Sequence, residues 1–205
     1  MTEENQPSDT KPTIKNRVLR KLAEFGLFFL ELVKVGVLAA ITIIVIRHFL
    51  FKPFYVRGAS MEPNFYDKEY LIIDELTYRF REPARGDVLV FKYPENPSEF
   101  FLKRIVGLPG ERVKISDGRI RIYNQEYPDG AELKEEYLPQ ELLTIAGNQS
   151  AITVKADQYF VLGDNRSNSY DSRRFGAIDK SAIVGRAIFR GWPFDRAKII
   201  KTPEY

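Results

Sequence analysis

Three segments combine residue types that could carry out hydrolysis. Ser60 lies in Arg57-Gly-Ala-Ser-Met-Glu-Pro63, where small neighbours would let a substrate backbone reach the hydroxyl and leave backbone N–H groups free for an oxyanion. Lys103 lies in the apolar stretch Phe100–Gly110. If strand alternation buries it, its pKa falls and the neutral amine can act as a general base. The third segment, Gly163–Gly176, is polar and carries paired charges, which suits a loop that hydrogen-bonds groups behind it.

Each segment also has an ordinary interpretation: a turn, a surface lysine at a sheet edge and a solvated loop. The Asp and Asn spacing of the third segment resembles a calcium loop. Arg166 occupies a ligand position there, however, and the glycine and glutamate that such a loop needs at its sixth and twelfth places are missing. We therefore expect no metal site in this segment.

Composition excludes catalysis by a thiol and leaves no histidine suited to act as a base. The chain has no cysteine, so disulfides and cysteine-based zinc sites are excluded along with thiol catalysis. Its single histidine, His48, lies in a hydrophobic segment, so a Ser-His-Asp triad has no plausible base. The formal net charge of +3 over 205 residues, with charges interspersed, does not indicate nucleic-acid binding. We expect no cofactor.

One apolar segment near the N-terminus is long enough to cross a bilayer. The stretch from Phe25 to Phe51 meets the requirement of roughly 20 residues for a spanning helix, although a buried core helix remains the alternative. A secretory signal sequence fits poorly, because no small-residue cleavage site follows the segment. Five basic residues lie between Lys11 and Lys21, against three on the other flank. The positive-inside rule then predicts a cytoplasmic tail (1–24), a transmembrane helix (25–51) and an exported domain (52–205).

The exported domain has the sequence pattern of β-structure. Alternating residues on both sides of Asp117-Gly118 predict a hairpin over Val113–Tyr123. Sustained helical periodicity after Arg57 is absent except in Ala131–Leu143, where a helix is an open interpretation. The fold expected is an all-β domain of antiparallel sheets preceded by a single N-terminal transmembrane helix. Further short strands are expected at Tyr70–Asp74, Asp87–Phe91, Ala151–Lys155, Tyr159–Leu162 and Ile183–Arg190.

Taken in order, these segments resemble the signature boxes of type I signal peptidases. The matching stretches are the hydrophobic segment, Gly-Ala-Ser-Met-Glu-Pro63, Arg-Gly-Asp-Val-Leu-Val-Phe91, Leu-Lys-Arg-Ile-Val-Gly-Leu-Pro-Gly-Glu111 and Gly-Asp-Asn-Arg-Ser-Asn-Ser-Tyr-Asp-Ser-Arg173. The similarity runs from about Phe25 to Ile200. Four boxes in the same order behind an anchor make it specific.

The resemblance implies a role for each matching residue. Ser60 matches the family nucleophile, Lys103 its base, and Ser169 the serine that hydrogen-bonds and orients the lysine amine. The residues implied to hold the active-site loop are Asp164, Asp171, Arg104 and Arg173. Family members bind an exported preprotein as an added strand, with shallow pockets for small side chains at P1 and P3. The residues expected to line those pockets are Val56, Met61, Phe101 and Leu102.

The family resemblance also implies a location and partners. The enzyme is expected in the cytoplasmic membrane of a bacterium, crossing it once with the catalytic domain on the outer side. Exported preproteins and the lipid bilayer are the expected partners, with no obligate protein partner. Three departures matter: Gly58 stands where many relatives have a hydroxyl that completes the oxyanion hole, Ser167 stands where an acidic residue is frequent, and Asn64 replaces a common threonine.

Three alternatives compete with this interpretation. A conjugation-type or organelle processing peptidase would keep the mechanism and change the substrate. A self-cleaving repressor shares the serine and lysine pair, but it carries an N-terminal DNA-binding domain where this chain has a hydrophobic segment. An inactive membrane-tethered β module that binds exported peptides is the alternative from a different class. The intact set of Ser60, Lys103 and Ser169 argues against it.

Overall fold

The computed structural model describes residues 14–49, 51–147, 151–203 and 205, with side chains described from residue 21 but not at 45–51. The chain divides into two compact units, one ending at Ile46 and one beginning at Arg47. Most of the expected tail, residues 1–13, lies outside the described residues. The remainder of that expected tail is already helical.

The first unit contains one long helix, α1, over Ile14–Phe49. Its segment Lys21–Ile44 is long and apolar enough to cross a membrane. At 1.5 Å per residue these 24 residues extend about 36 Å, which exceeds the roughly 30 Å of a bilayer's hydrocarbon core. The side chains of residues 21–44 are exposed, which does not support the alternative of a buried core helix.

The second unit consists of two antiparallel sheets in the described part of the chain. The larger has the strand order β1-β2-β11-β3-β4-β9-β10, with β12 paired to β11, and the smaller has the order β7-β6-β5-β8. The strands are β1 (Phe51–Tyr55), β2 (Tyr70–Asp74), β3 (Val88–Tyr93), β4 (Asn96–Gly107), β5 (Arg112–Ser116), β6 (Arg119–Tyr123), β7 (Ala131–Glu132), β8 (Ala151–Thr153), β9 (Gln158–Leu162), β10 (Ile178–Asp179), β11 (Ile183–Trp192) and β12 (Lys198–Ile199). A short helix, α2 (Ser172–Phe175), and three single-turn 3₁₀ segments at Thr77–Arg79, Lys180–Ala182 and Phe194–Arg196 lie between strands.

The predicted hairpin is confirmed in position and in turn type. Strands β5 and β6 pair directly, and Asp117 and Gly118 both adopt positive φ, at 53° and 75°. Two positive-φ residues are what the tight turn of a two-residue hairpin requires. The inward residues of this hairpin belong to one hydrophobic cluster that also includes Phe160 and Leu162 of β9, so the small sheet packs against the larger one.

The possible helix at Ala131–Leu143 is wrong. After β7 the chain continues in turns and irregular backbone, with Leu138 buried. Glu135 receives two hydrogen bonds from the buried Arg166 guanidinium, and the backbone oxygen of Tyr137 accepts one from Asn64. These tertiary contacts hold the segment in an irregular, turn-containing conformation that its local periodicity did not indicate.

Candidate active site

Ser60 opens a tight turn that follows β1. The Glu62 N–H donates to the Ala59 oxygen at 3.2 Å, and the Phe65 N–H donates to the Met61 oxygen at 2.9 Å. The Met61 and Phe65 side chains are 1% and 2% exposed and anchor the turn in the core. The Ser60 side chain is thereby held on a short, well-anchored loop.

Lys103 comes from the central part of β4 and points to this turn. Residue 103 pairs with Leu89 of β3, and the half of β4 that contains it is buried. Its Nζ donates to the Ser60 Oγ at 2.9 Å and to the backbone oxygen of Leu102 at 2.9 Å. The amine therefore contacts the hydroxyl at the distance that proton transfer requires.

Burial is what makes this amine chemically unusual. Lys103 is only 4% exposed, and desolvation lowers the pKa of its amine from 10.5 to about 8. The nearby carboxylates of Asp171 and Asp164 oppose the shift by favouring the charged form. The Phe101 ring, with its centroid 5.3 Å from Nζ, covers the amine on another side. A useful fraction of Lys103 is neutral near physiological pH, as a general base must be.

Two buried ion pairs fix the loop Gly163–Gly176 behind Ser60 and Lys103. Arg104 binds Asp164 with two parallel bonds of 2.8 and 2.7 Å, and Arg173 binds Asp171 with bonds of the same lengths. Asp171 also caps α2 by accepting from the Arg173 N–H, and it accepts from the Gly163 N–H. Both carboxylates are fully buried. The four charged residues inferred from the resemblance therefore form two buried ion pairs in the structure.

A groove with a volume of about 660 Å³ opens beside Ser60 and Lys103. All four expected pocket residues, Val56, Met61, Phe101 and Leu102, line it. Phe54, Phe100 and Tyr170 line it as well and were not anticipated. The Tyr170 ring is held by edge-on contact with Tyr93, 6.0 Å between centroids. An apolar trough of this kind suits an extended peptide with small side chains facing inward.

Ser169 does not make the hydrogen bond that the resemblance implied. Its Oγ is buried and has no hydrogen-bond partner among the described residues, while the second partner of the Lys103 amine is the Leu102 oxygen. Ser169 nevertheless lies close to the turn that carries Ser60. A Cβ placed on Gly163 would lie 2.2 Å from the Ser169 Oγ and 2.4 Å from the Ser60 backbone oxygen.

Backbone N–H groups near Ser60 can bind a substrate oxyanion only if they do not already donate a hydrogen bond within the protein. The Gly58 N–H donates to the Asp67 carboxylate at 2.8 Å and is therefore engaged. Gly58 has φ of 84°, a conformation that favours glycine over the hydroxyl residue of many relatives. The Ser60 N–H has no acceptor among the described residues, which leaves it available to a substrate oxyanion.

Two asparagines also belong to the site: Asn64, which the sequence marked only as a departure from the family pattern, and Asn165, which it did not single out. Asn64 Nδ2 donates to the Asp164 carboxylate at 2.9 Å, which joins the Ser60 turn to the loop behind the dyad. Asn165 donates to the backbone oxygens of both Ala59 and Ser60. These contacts join residues 100 to 106 positions apart, so no local spacing could have revealed them.

Comparison with known proteins gives a consistent result. Residues 29–192 match the family model described as "Signal peptidase, peptidase S26". Among curated relatives, Probable signal peptidase I-2 of Synechocystis sp. is 38% identical over 84% of this chain and 77% of its own. Signal peptidase I of Leptolyngbya laminosa is 35% identical over 98% of both chains. A signal peptidase I crystal structure from Enterococcus faecalis V583 is 32% identical and covers 52% of this chain and 97% of its own, with a TM-score of 0.43. The match to the family model and the relatives' coverage together show that this chain belongs to the signal peptidase family S26 and is a peptidase.

Proposed function

We propose that this protein is a membrane-anchored serine endopeptidase that removes signal peptides from exported preproteins, with Ser60 as nucleophile and Lys103 as general base. The observation that carries the proposal is the 2.9 Å contact between the Lys103 amine and the Ser60 hydroxyl, with the amine 4% exposed. Burial lowers the pKa of the amine to about 8, so it can take a proton at neutral pH.

The chemistry proceeds by acyl transfer. Neutral Lys103 takes the Ser60 proton as Oγ attacks the scissile carbonyl, and the resulting oxyanion is stabilised by the Ser60 N–H. The protonated amine then delivers its proton to the leaving amine, and the acyl-enzyme forms. A water molecule activated by the same amine releases the signal peptide and restores the free serine.

The groove supports selectivity for small residues at the cleavage site. Three of the lining residues, Val56, Met61 and Leu102, are 3%, 1% and 6% exposed and form the floor of the groove. The pockets above this floor would be shallow and would accept only small substrate side chains. An extended segment of the preprotein would bind along β4 and place alternate side chains against this floor. Cleavage after Ala-x-Ala sequences fits such a surface.

Membrane attachment places the enzyme where its substrates emerge. The anchor expected over residues 25–51, which overlaps the apolar helical segment Lys21–Ile44, would cross the bilayer once. The basic tail, residues 1–24, would stay in the cytoplasm of a bacterium, and the domain 52–205 would be exported. The lipid bilayer and exported preproteins are then its partners.

The deciding experiment compares Ser60→Ala and Lys103→Arg with the wild type in detergent micelles, on a preprotein with an Ala-x-Ala site. Both variants should lose cleavage, because one lacks the attacking oxygen and the other has a guanidinium that does not deprotonate. Lys52→Arg serves as the matched control, since Lys52 is an exposed residue that forms an ion pair with Glu75 on the protein surface. Full cleavage by Ser60→Ala would refute the proposal, and turnover by Lys103→Arg would remove Lys103 from the role of base.

The same experiment discriminates against an inactive peptide-binding module. Such a module would retain the groove beside β4 and bind the preprotein without cleaving it. Wild-type protein that binds an Ala-x-Ala preprotein and leaves it intact over hours would favour that alternative.

A further inference from the structure

The side chain of Asn165 contacts the backbone of the nucleophile turn. Its Nδ2 donates to the Ala59 oxygen at 3.0 Å, and its backbone N–H donates to the Ser60 oxygen at 3.1 Å. Asn165 does not line the groove, so a bound substrate would not touch it. Two consecutive carbonyl groups of the turn are thus fixed from behind by one residue.

The orientation of this side-chain amide follows from its other contacts. Asn165 Oδ1 accepts from the Asn168 N–H at 3.2 Å and from the Ser167 hydroxyl at 3.2 Å. With the oxygen facing two donors, Nδ2 must face Ala59. The loop packs tightly against the turn here, because a Cβ on Gly163 would lie 2.4 Å from the Ser60 oxygen.

Peptide geometry carries this contact through to the groove. The bond between residues 59 and 60 is planar and trans, so the Ala59 carbonyl and the Ser60 N–H point in opposite directions from one rigid unit. A carbonyl held towards Asn165 therefore directs the Ser60 N–H away from the loop. Hydrogen bonds to the carbonyl from Asn165 and the Glu62 N–H also polarise the peptide and strengthen its N–H as a donor.

We propose that Asn165 is a positioning residue that orients and polarises the Ser60 N–H as the oxyanion donor. The inference rests on the proposed function of Ser60. Its importance is greater in this chain than in one with a hydroxyl two places earlier, because Gly58 has no side-chain donor and its N–H is already bound to Asp67. One backbone donor then bears most of the developing charge.

The test measures kcat and KM of full-length Asn165→Ala in detergent micelles, with a signal-peptide substrate. We expect kcat to fall about 10- to 100-fold. Removing an oxyanion donor altogether lowers kcat by about 100- to 1,000-fold, and the loss of a positioning contact should be no larger than the low end of that range. KM should change by less than about threefold, since the contact strengthens only as the oxyanion develops. Affinity for a substrate-derived peptide aldehyde, which forms a tetrahedral adduct with the serine, should fall in parallel with kcat.

Matched variants separate this role from a loss of folding. Asn165→Asp keeps the Oδ1 contacts and the shape of the side chain but replaces the donor with an acceptor, so it should lose at least as much kcat, compared on the plateau above pH 9. Asn168→Ala alters an exposed side chain whose contacts with Asn165 use only its backbone N–H, and it should stay within twofold of wild type.

Three outcomes would overturn the inference. They are an unchanged kcat in Asn165→Ala, a loss confined to KM, and a lowered melting temperature with undiminished affinity for the aldehyde. A Ser60→Ala variant assayed in parallel identifies failure of the proposed function itself. If that variant still cleaves, the nucleophile is wrong, whereas its inactivity alongside an unaffected Asn165→Ala rejects only the positioning role.

Discussion

Replacing Lys103 with methionine should abolish cleavage and at the same time stabilise the folded domain near neutral pH. The amine is 4% exposed, and burial lowers its pKa from 10.5 to about 8. A fall of that size means that the folded state carries about 3 kcal/mol of unfavourable free energy at pH 7, where the buried amine is still largely protonated. Methionine has similar length and no charge, so it removes that penalty.

Part of the gain is offset by lost hydrogen bonds. The amine donates to Leu102 and Ser60, and losing those two bonds costs about 2 kcal/mol. The net stabilisation is then about 1 kcal/mol at pH 7, or a rise of about 2–4 °C in melting temperature for a domain of this size. The gain should shrink as pH rises from 8 to 10.5. In that interval the folded wild type has lost the proton that the unfolded chain still binds, so wild-type stability increases with pH.

Calorimetry of full-length protein in detergent micelles at pH 7 and pH 10.5 measures both effects. Ser60→Ala is the matched control, because it is equally inactive but keeps the buried amine. The reasoning is refuted if Lys103→Met melts no higher than Ser60→Ala at pH 7. It is also refuted if the difference between the two variants is as large at pH 10.5 as at pH 7, since the penalty would then not arise from protonation.

Three further outcomes are expected. The value of kcat/KM on a signal-peptide substrate should rise about tenfold per pH unit below pH 8 and level off above it. The reason is that the Lys103 amine, with a pKa of about 8, loses its proton over that range. A break in the profile near pH 6.5 would indicate another base. Arg104→Gln should lower the free energy of unfolding by about 3–5 kcal/mol, because it leaves the buried Asp164 carboxylate unpaired, and a loss under 1 kcal/mol would contradict this. Ser169→Ala should leave the melting temperature unchanged or higher, because it removes a buried hydroxyl without a partner among the described residues; a clear fall would show that the hydroxyl is bonded in solution.

Local patterns predicted much of the β-structure. The period-2 alternation around Asp117-Gly118 predicted both strands and the turn, because a two-residue hairpin depends on adjacent residues alone. The sequence left open whether Lys103 is buried, and the structure shows that it is, within a run of buried residues from Leu102 to Gly107. The sequence did not indicate that Arg104, on the opposite side of the strand, is equally buried at 4%. That burial depends on Asp164, which lies 60 positions away and neutralises the guanidinium.

The rest of the site depends on contacts between distant parts of the chain. Asn165 is recognisable in the sequence only as one polar residue of a polar loop, and its function arises from proximity to Ala59, 106 positions earlier. The turns in Ala131–Leu143 likewise depend on the hydrogen bonds between the buried Arg166 guanidinium and the Glu135 carboxylate. Ser169 could be matched to a family position, but the residue type does not specify which way its hydroxyl points.

The strand order has a consequence for when the enzyme becomes competent. The turn with Ser60 joins β1 to β2, and Lys103 lies on β4, yet β2 and β3 are not neighbours: β11, residues 183–192, is hydrogen-bonded between them. Strand β11 therefore links the turn with Ser60 and the strand with Lys103 into one sheet. It is synthesised after both of them. A chain interrupted before residue 183 would hold both side chains without this link, so we expect it to be inactive until β11 has been synthesised.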